Sequence, residues 1–549
     1  MNTADWLLDA LAAEGVTHLF GNPGSTELPV VEAAARTSRP RFVLGLHEAA
    51  VMGMADGFAQ ASGGMSAVNV HVQPGIANAM SGLLNAVRAR VPMLVTVGQQ
   101  VTGLRDTGPF LGGDVLGPVR PWVRWAREAD TPEDLPGLVH DAVAAATTPP
   151  CGPVVLSLPM DVMAAPAPAP YRPAGTAPPA PRPGREAMDE IAVAVREASA
   201  PVILAGDGVV HEGAVDRLVT LAERLDAPVW GEPMAGRAPM PWAHPNWRGL
   251  LPPFAAAIAP ILESHDLVLA LGMPVFRLFG DSPGPALPDA VRLIHVDVDP
   301  AEVNRNHVAR PGVVAAVGGV LDHLLRGIPD GPARPSASLT AESGAPARGP
   351  RVTPDVLAAA LARGVGADDI LVDESLTAGR PVRGRVRNRT AENWFAHRGS
   401  ALGWGLPAAV GVRLAQPDRR VMALHGDGSL LFGVHALWTA ANEGAGVAVV
   451  VGDNGGYEIL RAGMRGAFGS DVAWTGLDID RPALDLVGIC RGFGADAGRL
   501  DRADDLDDAI ADLWTRAEDG PAVLVVPMEH AAEAVGYPIR PASERTSTP

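Results

Sequence analysis

Asp427 and Asn454 stand 27 positions apart, each inside a glycine-rich segment. The first segment, Gly426-Asp427-Gly428-Ser429, follows the apolar run 421–424; the second, Asn454-Gly455-Gly456-Tyr457, follows the apolar run 447–451. The stretch between them, 433–443, predicts a helix. The order is therefore strand, helix, strand, with a carboxylate at one strand end and a carboxamide at the next. Two oxygen donors of this kind, with the backbone carbonyl of Gly456 as a third, suit a hard divalent cation such as magnesium; diphosphate oxygens and water would complete an octahedron. Gly428 and Ser429 open the next helix, so their amides would face phosphate. Each segment taken singly is an ordinary turn. At this spacing, each after an apolar strand, the pair outweighs that plainer reading.

A second acid, Glu48, follows a strand-like run at 41–46 and precedes a helical run rich in alanine and glycine. Acids are favoured at helix N-termini for electrostatic reasons alone. The cation–diphosphate pattern points to thiamine diphosphate, however, and that cofactor needs one carboxyl group against its aminopyrimidine ring. The acid donates to a ring nitrogen and shifts the exocyclic amine toward its imino form, which prepares the thiazolium carbon to lose its proton.

Composition narrows the alternatives. The chain has 549 residues, 47% of them hydrophobic, enough for three ordinary domains. It contains no lysine, which excludes Schiff-base chemistry on lysine, pyridoxal phosphate with it, and the lysine-dependent phosphate loop. A formal net charge of −18 argues against nucleic acid. The five arginines between Arg380 and Arg389 read as a solvated loop or a subunit contact. No apolar stretch reaches the length of a membrane span, and the first residues lack a signal-peptide pattern. Only Cys151 and Cys490 are present, so the reducing cytoplasm is the expected compartment.

Helical and strand-like runs alternate along the chain, which predicts an α/β fold of open, doubly wound parallel sheets. Strands are expected at 17–20, 41–46, 65–72, 93–97 and 154–158, then at 202–204, 229–230, 267–271 and 293–298, and finally at 370–372, 422–424, 447–451 and 522–526. Two Pro- and Ala-rich stretches, 163–184 and 331–350, read as linkers. They divide the chain into units at 1–165, 185–330 and 351–530. Residues 541–549 read as a disordered tail.

Several segments give the chain a family likeness. They include Phe20-Gly21-Asn22-Pro23-Gly24-Ser25, Leu46-His47-Glu48-Ala49-Ala50, the run 55–62 beginning Ala55-Asp56-Gly57, Pro274-Val275-Phe276-Arg277 and Leu402-Gly403-Trp404-Gly405. With the cofactor motif, they resemble the thiamine-diphosphate enzymes of the acetolactate synthase and pyruvate decarboxylase superfamily, most closely the benzoylformate decarboxylases. The resemblance implies a pyrimidine-binding, a middle and a diphosphate-binding domain. It implies that Glu48 of one subunit serves a cofactor held by another, in homotetramers built as pairs of dimers. It implies Ser25 on the substrate carboxylate and His71 donating to a developing alkoxide. Leu402 matches the residue that props the bent cofactor, Ser400 the carbonyl that accepts from the aminopyrimidine, and Thr377 a diphosphate contact. Asn22 and Tyr457 complete the cofactor-binding set.

The substrate class implied is a 2-oxo acid, aryl or bulky, losing carbon dioxide to give an aldehyde. The same cofactor also serves carboligases and lyases of the acetolactate synthase or benzaldehyde lyase kind. A cofactor-free scaffold subunit is a further alternative, against which Glu48, Asp427 and Asn454 argue. The chain departs from the family at Phe279, where a second active-site histidine is expected, and near Gly463, where an aromatic pocket residue is expected. His71 is followed by Val72-Gln73-Pro74-Gly75, a more synthase-like pattern. Arg398 is expected to reach the cavity.

Overall fold

In the computed structural model, residues 1–175, 179–280, 282–329 and 351–530 are described. The 331–350 linker and the 541–549 tail expected from sequence lie outside them. The described residues form three six-stranded sheets, all of whose strand pairs are parallel.

The first sheet holds β1 (His18–Asn22), β2 (Arg41–Leu44), β3 (Ser66–Val70), β4 (Met93–Gln99), β5 (Trp125–Glu128) and β6 (Pro153–Pro159), in the order β2-β1-β3-β4-β6-β5. The second holds β7 (Pro201–Ala205), β8 (Val229–Gly231), β9 (Trp247–Leu250), β10 (Leu267–Leu271), β11 (Arg292–Asp297) and β12 (Gly312–Val314), in the order β12-β11-β10-β7-β8-β9. The third holds β13 (Ile370–Glu374), β14 (Trp394–Ala396), β15 (Val421–Gly426), β16 (Val447–Asp453), β17 (Asp496–Arg499) and β18 (Ala522–Pro527), in the order β14-β13-β15-β16-β18-β17.

The central strands of the third sheet are buried on both faces, so both alternating sets of side chains are apolar. Ile370, Val372, Ala423, Val449 and Val451 join a core shared with the first sheet, whereas Leu371, Met422, Leu424, Ala448 and Val450 join a core shared with the second. The third unit is thus packed between the other two. On the first-sheet side the contact is helix on helix, Glu48–Ser62 against Gly405–Ala415. A Cβ at Gly57 would strike the backbone of Ala408, and one at Gly411 would strike that of Met54. These glycines let the backbones approach closely, which fixes the start of the first helix, and with it Glu48.

In the third sheet the chain steps from β13 to β14 on one side and then crosses back over β13 to β15 on the other, so the direction of winding reverses between β13 and β15. Such a reversal opens a crevice at the strand C-termini, where ligands bind in open α/β sheets. Glu374 ends β13 and Asp427 follows β15, so both stand at this crevice. The helix expected over 433–443 is present as Ala436–Glu443, and the helix that Gly428 and Ser429 open is a separate one, Asp427–Gly433, which begins directly at the strand end.

Candidate active site

The two glycine-rich segments meet. The backbone amides of Asn454, Gly455 and Gly456 converge on Asp427 Oδ2 at 3.2, 2.7 and 3.1 Å. Gly455 has φ +70°, a conformation glycine adopts without strain, and this turns the three amides inward. Asp427 Oδ1 accepts from the amide of Gly428 at 2.7 Å. Burial holds the Asp427 carboxyl above its ordinary pKa, against the opposing pull of these amides; a cation beside it would reverse that balance.

Asn454 Oδ1 is buried without a hydrogen-bond partner. A buried amide oxygen left unpaired is costly, and an ion is one of the partners that removes the penalty. Gly456 O accepts from the amide of Glu458 at 3.0 Å and keeps a second lone pair. One carboxylate, one orphaned amide oxygen and one carbonyl form an oxygen-only donor set that fits a hard divalent cation.

The cleft at Asp427 is lined by Glu374, Thr377, Leu402, the 426–429 segment, Asn454, Gly456 and Tyr457. The Tyr457 ring lies over Gly428, where a Cβ would come within 2.7 Å of Cε1. Ser429 Oγ accepts from the amide of Gly426 at 3.1 Å and closes the start of the helix. Ser400 is exposed on the turn that leads to Leu402 and has φ +61°, an uncommon conformation for a residue with a side chain. Beyond that turn, Glu374 accepts from the amides of Gly403 at 2.6 Å and Gly405 at 2.7 Å. Burial nevertheless pushes its carboxyl up to about 8. A second cavity, of about 590 Å³, lies against Asp427 and Asn454 with Arg461, Arg465 and Arg499 in its wall.

No residue of the first unit lines either cavity. Glu48, Ser25 and His71 gather elsewhere, at the C-terminal ends of β1, β2 and β3. Glu48 is buried at the first position of its helix, with His47 as N-cap accepting from the amide of Ala49. Its Oε2 accepts from Asn78 Nδ2 at 3.0 Å. Asn22 Nδ2 donates to Gly45 O at 2.8 Å, tying the end of β1 to the loop before Glu48. Ser25 is exposed and opens a single 3₁₀ turn, Ser25–Glu27.

His71 caps the helix Val72–Arg88, and its Nδ1 lies 2.7 Å from Glu27 Oε2. Glu27 also accepts from Thr26 Oγ1 at 2.6 Å and from the amide of Gly24 at 2.8 Å. With Nδ1–H directed at Glu27, Nε2 is the nitrogen left for an incoming group. Glycine is required at position 24, where a Cβ would strike the His71 ring, and at position 98, where it would strike Glu27. Val72, buried and β-branched, is held at φ +32° beside His71, a strained backbone of the kind that collects at functional sites. Sequence reasoning missed Glu27. An acid two residues beyond Ser25 was the available signal, but nothing in the sequence pairs it with a histidine 44 positions on.

Other expectations are corrected. Arg398 does not reach the cavity: its guanidinium is bound to Asp207 at 2.5 Å and to Glu232 at 2.6 and 2.7 Å, both on the second unit. The arginine run at 380–389 is not simply solvated. Arg389 is fully buried and donates to carbonyls of Gly366 and Asp369, and Arg383 pairs with Asp373 at 2.6 Å. Phe279 is 55% exposed on a loop of the second unit. Among the described residues, no helix is long and apolar enough to cross a membrane.

Three parallel sheets, a switch-point crevice and an oxygen donor set at Asp427 and Asn454 define a diphosphate-cofactor enzyme of the three-domain α/β class. The chain belongs to the thiamine pyrophosphate enzyme family. It matches the models of that family's N-terminal TPP-binding domain over 1–114, its central domain over 188–324 and its C-terminal TPP-binding domain over 382–526. It is 37% identical over 535 residues to a benzoylformate decarboxylase of Pseudomonas aeruginosa, covering 95% of this chain and 98% of that one. An acetolactate synthase large subunit of Parasynechococcus marenigrum is 27% identical over 572 residues, covering 97% of this chain and 91% of that one. Among solved structures, a thiamine diphosphate-dependent 4-hydroxybenzoylformate decarboxylase of Rhodococcus jostii superposes with a TM-score of 0.89 at 33% identity, covering 97% of this chain and all of that one.

Proposed function

We propose that the protein is a magnesium- and thiamine-diphosphate-dependent decarboxylase of an aryl or similarly bulky 2-oxo acid, releasing an aldehyde. The observation that carries the cofactor is the orphaned Asn454 Oδ1 beside the amide-bound carboxylate of Asp427. The substrate class rests on the likeness to benzoylformate and 4-hydroxybenzoylformate decarboxylases.

In this reading Asp427, Asn454 and Gly456 hold the cation. Gly426, Gly428, Ser429, Thr377 and Tyr457 flank the diphosphate, and Leu402 and Ser400 face the rings. When bound, thiamine diphosphate supplies the electron sink that accepts the pair left behind by carbon dioxide. Glu48 holds a proton at its carboxyl for the aminopyrimidine nitrogen, with Oε2 fixed by Asn78. Ser25 binds the substrate carboxylate. His71, its Nδ1 tied to Glu27, offers Nε2 to the keto oxygen of the substrate, which gains charge when the carbon that bears it is attacked, before carbon dioxide leaves.

Glu48, Ser25 and His71 line neither cavity at Asp427 of their own chain. A dimer in which each chain completes its partner's site accounts for this, and a homotetramer of two such dimers is the proposed assembly, working in the cytoplasm. The Val72–Gly75 sequence after His71 favours a second reading, a carboligase of the acetolactate synthase kind. Incubation with benzoylformate and with pyruvate separates the two: aldehyde with carbon dioxide is expected from benzoylformate, and formation of acyloin alone would overturn the decarboxylase reading.

A further inference from the structure

The turn carrying Ser400 is gripped from the first unit by a single side chain. Asn85 Nδ2 donates to Ala401 O at 2.8 Å, and Ala401 N donates to Asn85 Oδ1 at 3.2 Å. One carboxamide thus satisfies both polar groups of one peptide residue, as a neighbouring strand would. Asn85 is buried, and a Cβ on Gly399 would run into it. The flanks of the turn are fixed separately: Arg398 by Asp207 and Glu232 of the second unit, Gly403 by Glu374, and Trp404 by its Nε1 donating to Asp56 at 2.8 Å. Between these anchors, Ser400 is held in the left-handed region at φ +61°.

Asn85 lies on the helix Val72–Arg88, which His71 caps. Asn78, which holds Glu48, is seven residues after His71, and Asn85 is seven residues after Asn78. Seven residues is close to two helical turns, so the three share one face of one rigid element. That face meets Glu27, Glu48 and the Ser400 turn in succession.

We propose that Asn85 is a positioning residue: it fixes the Ser400–Leu402 turn so that the Ser400 carbonyl and the Leu402 side chain meet the cofactor rings. The inference rests on the thiamine-diphosphate reading above. The diphosphate anchor at Asp427 is independent of Asn85, so loss of Asn85 misplaces the rings while leaving the tail bound.

Asn85→Ala is compared with wild type in three measurements: hydrogen exchange of the 397–403 segment in cofactor-free protein, affinity for thiamine diphosphate with magnesium, and kcat on benzoylformate. Exchange of the segment is expected to quicken about tenfold or more as the Ala401 amide loses its acceptor. kcat is expected to fall on the order of a hundredfold, because small misplacements of reacting groups cost rate steeply. Affinity should change less than about threefold, or about 0.7 kcal/mol. Replacing Ser400 with glycine in the Asn85→Ala chain should restore part of kcat, since glycine reaches the left-handed conformation without strain. Should Asn85→Ala fail to fold, Asn85→Asp, of the same size but lacking the donor to Ala401 O, carries the same expectation for kcat. An active wild type with unchanged kcat in the Asn85 variant overturns the inference alone. A wild type that neither binds the cofactor nor turns over a 2-oxo acid removes the functional reading, and this inference with it.

Discussion

Replacing Asp56 with asparagine should stabilise the protein at neutral pH and leave it unchanged at acid pH. Asp56 lies at the packing of helix Glu48–Ser62 on Gly405–Ala415, with no exposed surface. It accepts from Trp404 Nε1 at 2.8 Å and from Gln60 Nε2 at 2.7 Å. Burial dominates these two bonds and pushes its carboxyl up from 3.8 to about 6. The folded state therefore holds this proton more tightly than the unfolded chain. The stability linked to the group is full below about pH 4 and is lost as the pH rises through about 6. A displacement of about two pH units corresponds to about 3 kcal/mol. Asparagine copies the protonated acid: its oxygen accepts from Trp404, and Gln60 can reverse its amide to accept in turn. With an unfolding entropy near 2 cal/mol/K per residue, a gain of about 3 kcal/mol raises Tm by about 3 °C if the described units melt together, and by more if the first unit melts alone. The assay is thermal melting from pH 4 to pH 8 at fixed protein and cofactor concentration, because both shift Tm by mass action. The expected result is a Tm difference between variant and wild type that grows between pH 4 and 6.5 and is flat above. A variant less stable by the same amount at every pH would refute the reasoning, since the buried carboxylate would then be favourable in its charged form.

Three further outcomes follow from the site. Glu48→Gln keeps the shape and the Asn78 contact but loses the acid, so kcat should fall on the order of a hundredfold or more with Tm and cofactor affinity nearly unchanged; an unchanged rate would return Glu48 to helix capping. Asp427→Ala leaves the amides of Asn454, Gly455 and Gly456 without their acceptor and removes a cation ligand, so the protein should lose thiamine diphosphate on dialysis against magnesium buffer that the wild type withstands. Glu27→Gln weakens the hold on His71 Nδ1, and kcat should drop on the order of tenfold with cofactor affinity preserved; equal losses in both would show that Glu27 serves folding alone.

The interior of each sheet was legible because strands buried on both faces are apolar runs that need no partner to be recognised. Every interior strand matches an expected run to within a few residues. The missed strands, Trp125–Glu128, Trp247–Leu250, Gly312–Val314, Trp394–Ala396 and Asp496–Arg499, are all sheet edges. They are three or four residues long, and most are partly exposed, so neighbouring strands define them more than their own composition does. Asp427 and Asn454 were readable for a related reason: each follows a long apolar strand directly, and local sequence sets the spacing between them. Glu27, Asn78 and Asn85 were not readable, because each acts on a group 30 to more than 300 positions away. Arg398 was misassigned because its true partners, Asp207 and Glu232, belong to another sheet and look like ordinary surface acids in the sequence.

The central claim is that Asp427 and Asn454 anchor a cation that in turn anchors thiamine diphosphate, and calorimetric titration of the purified chain with the cofactor tests it most directly. With magnesium present, saturable binding at one cofactor per chain is expected, and removing magnesium by chelation should weaken it severely. No heat of binding with magnesium, or binding of equal strength in its absence, would contradict the account.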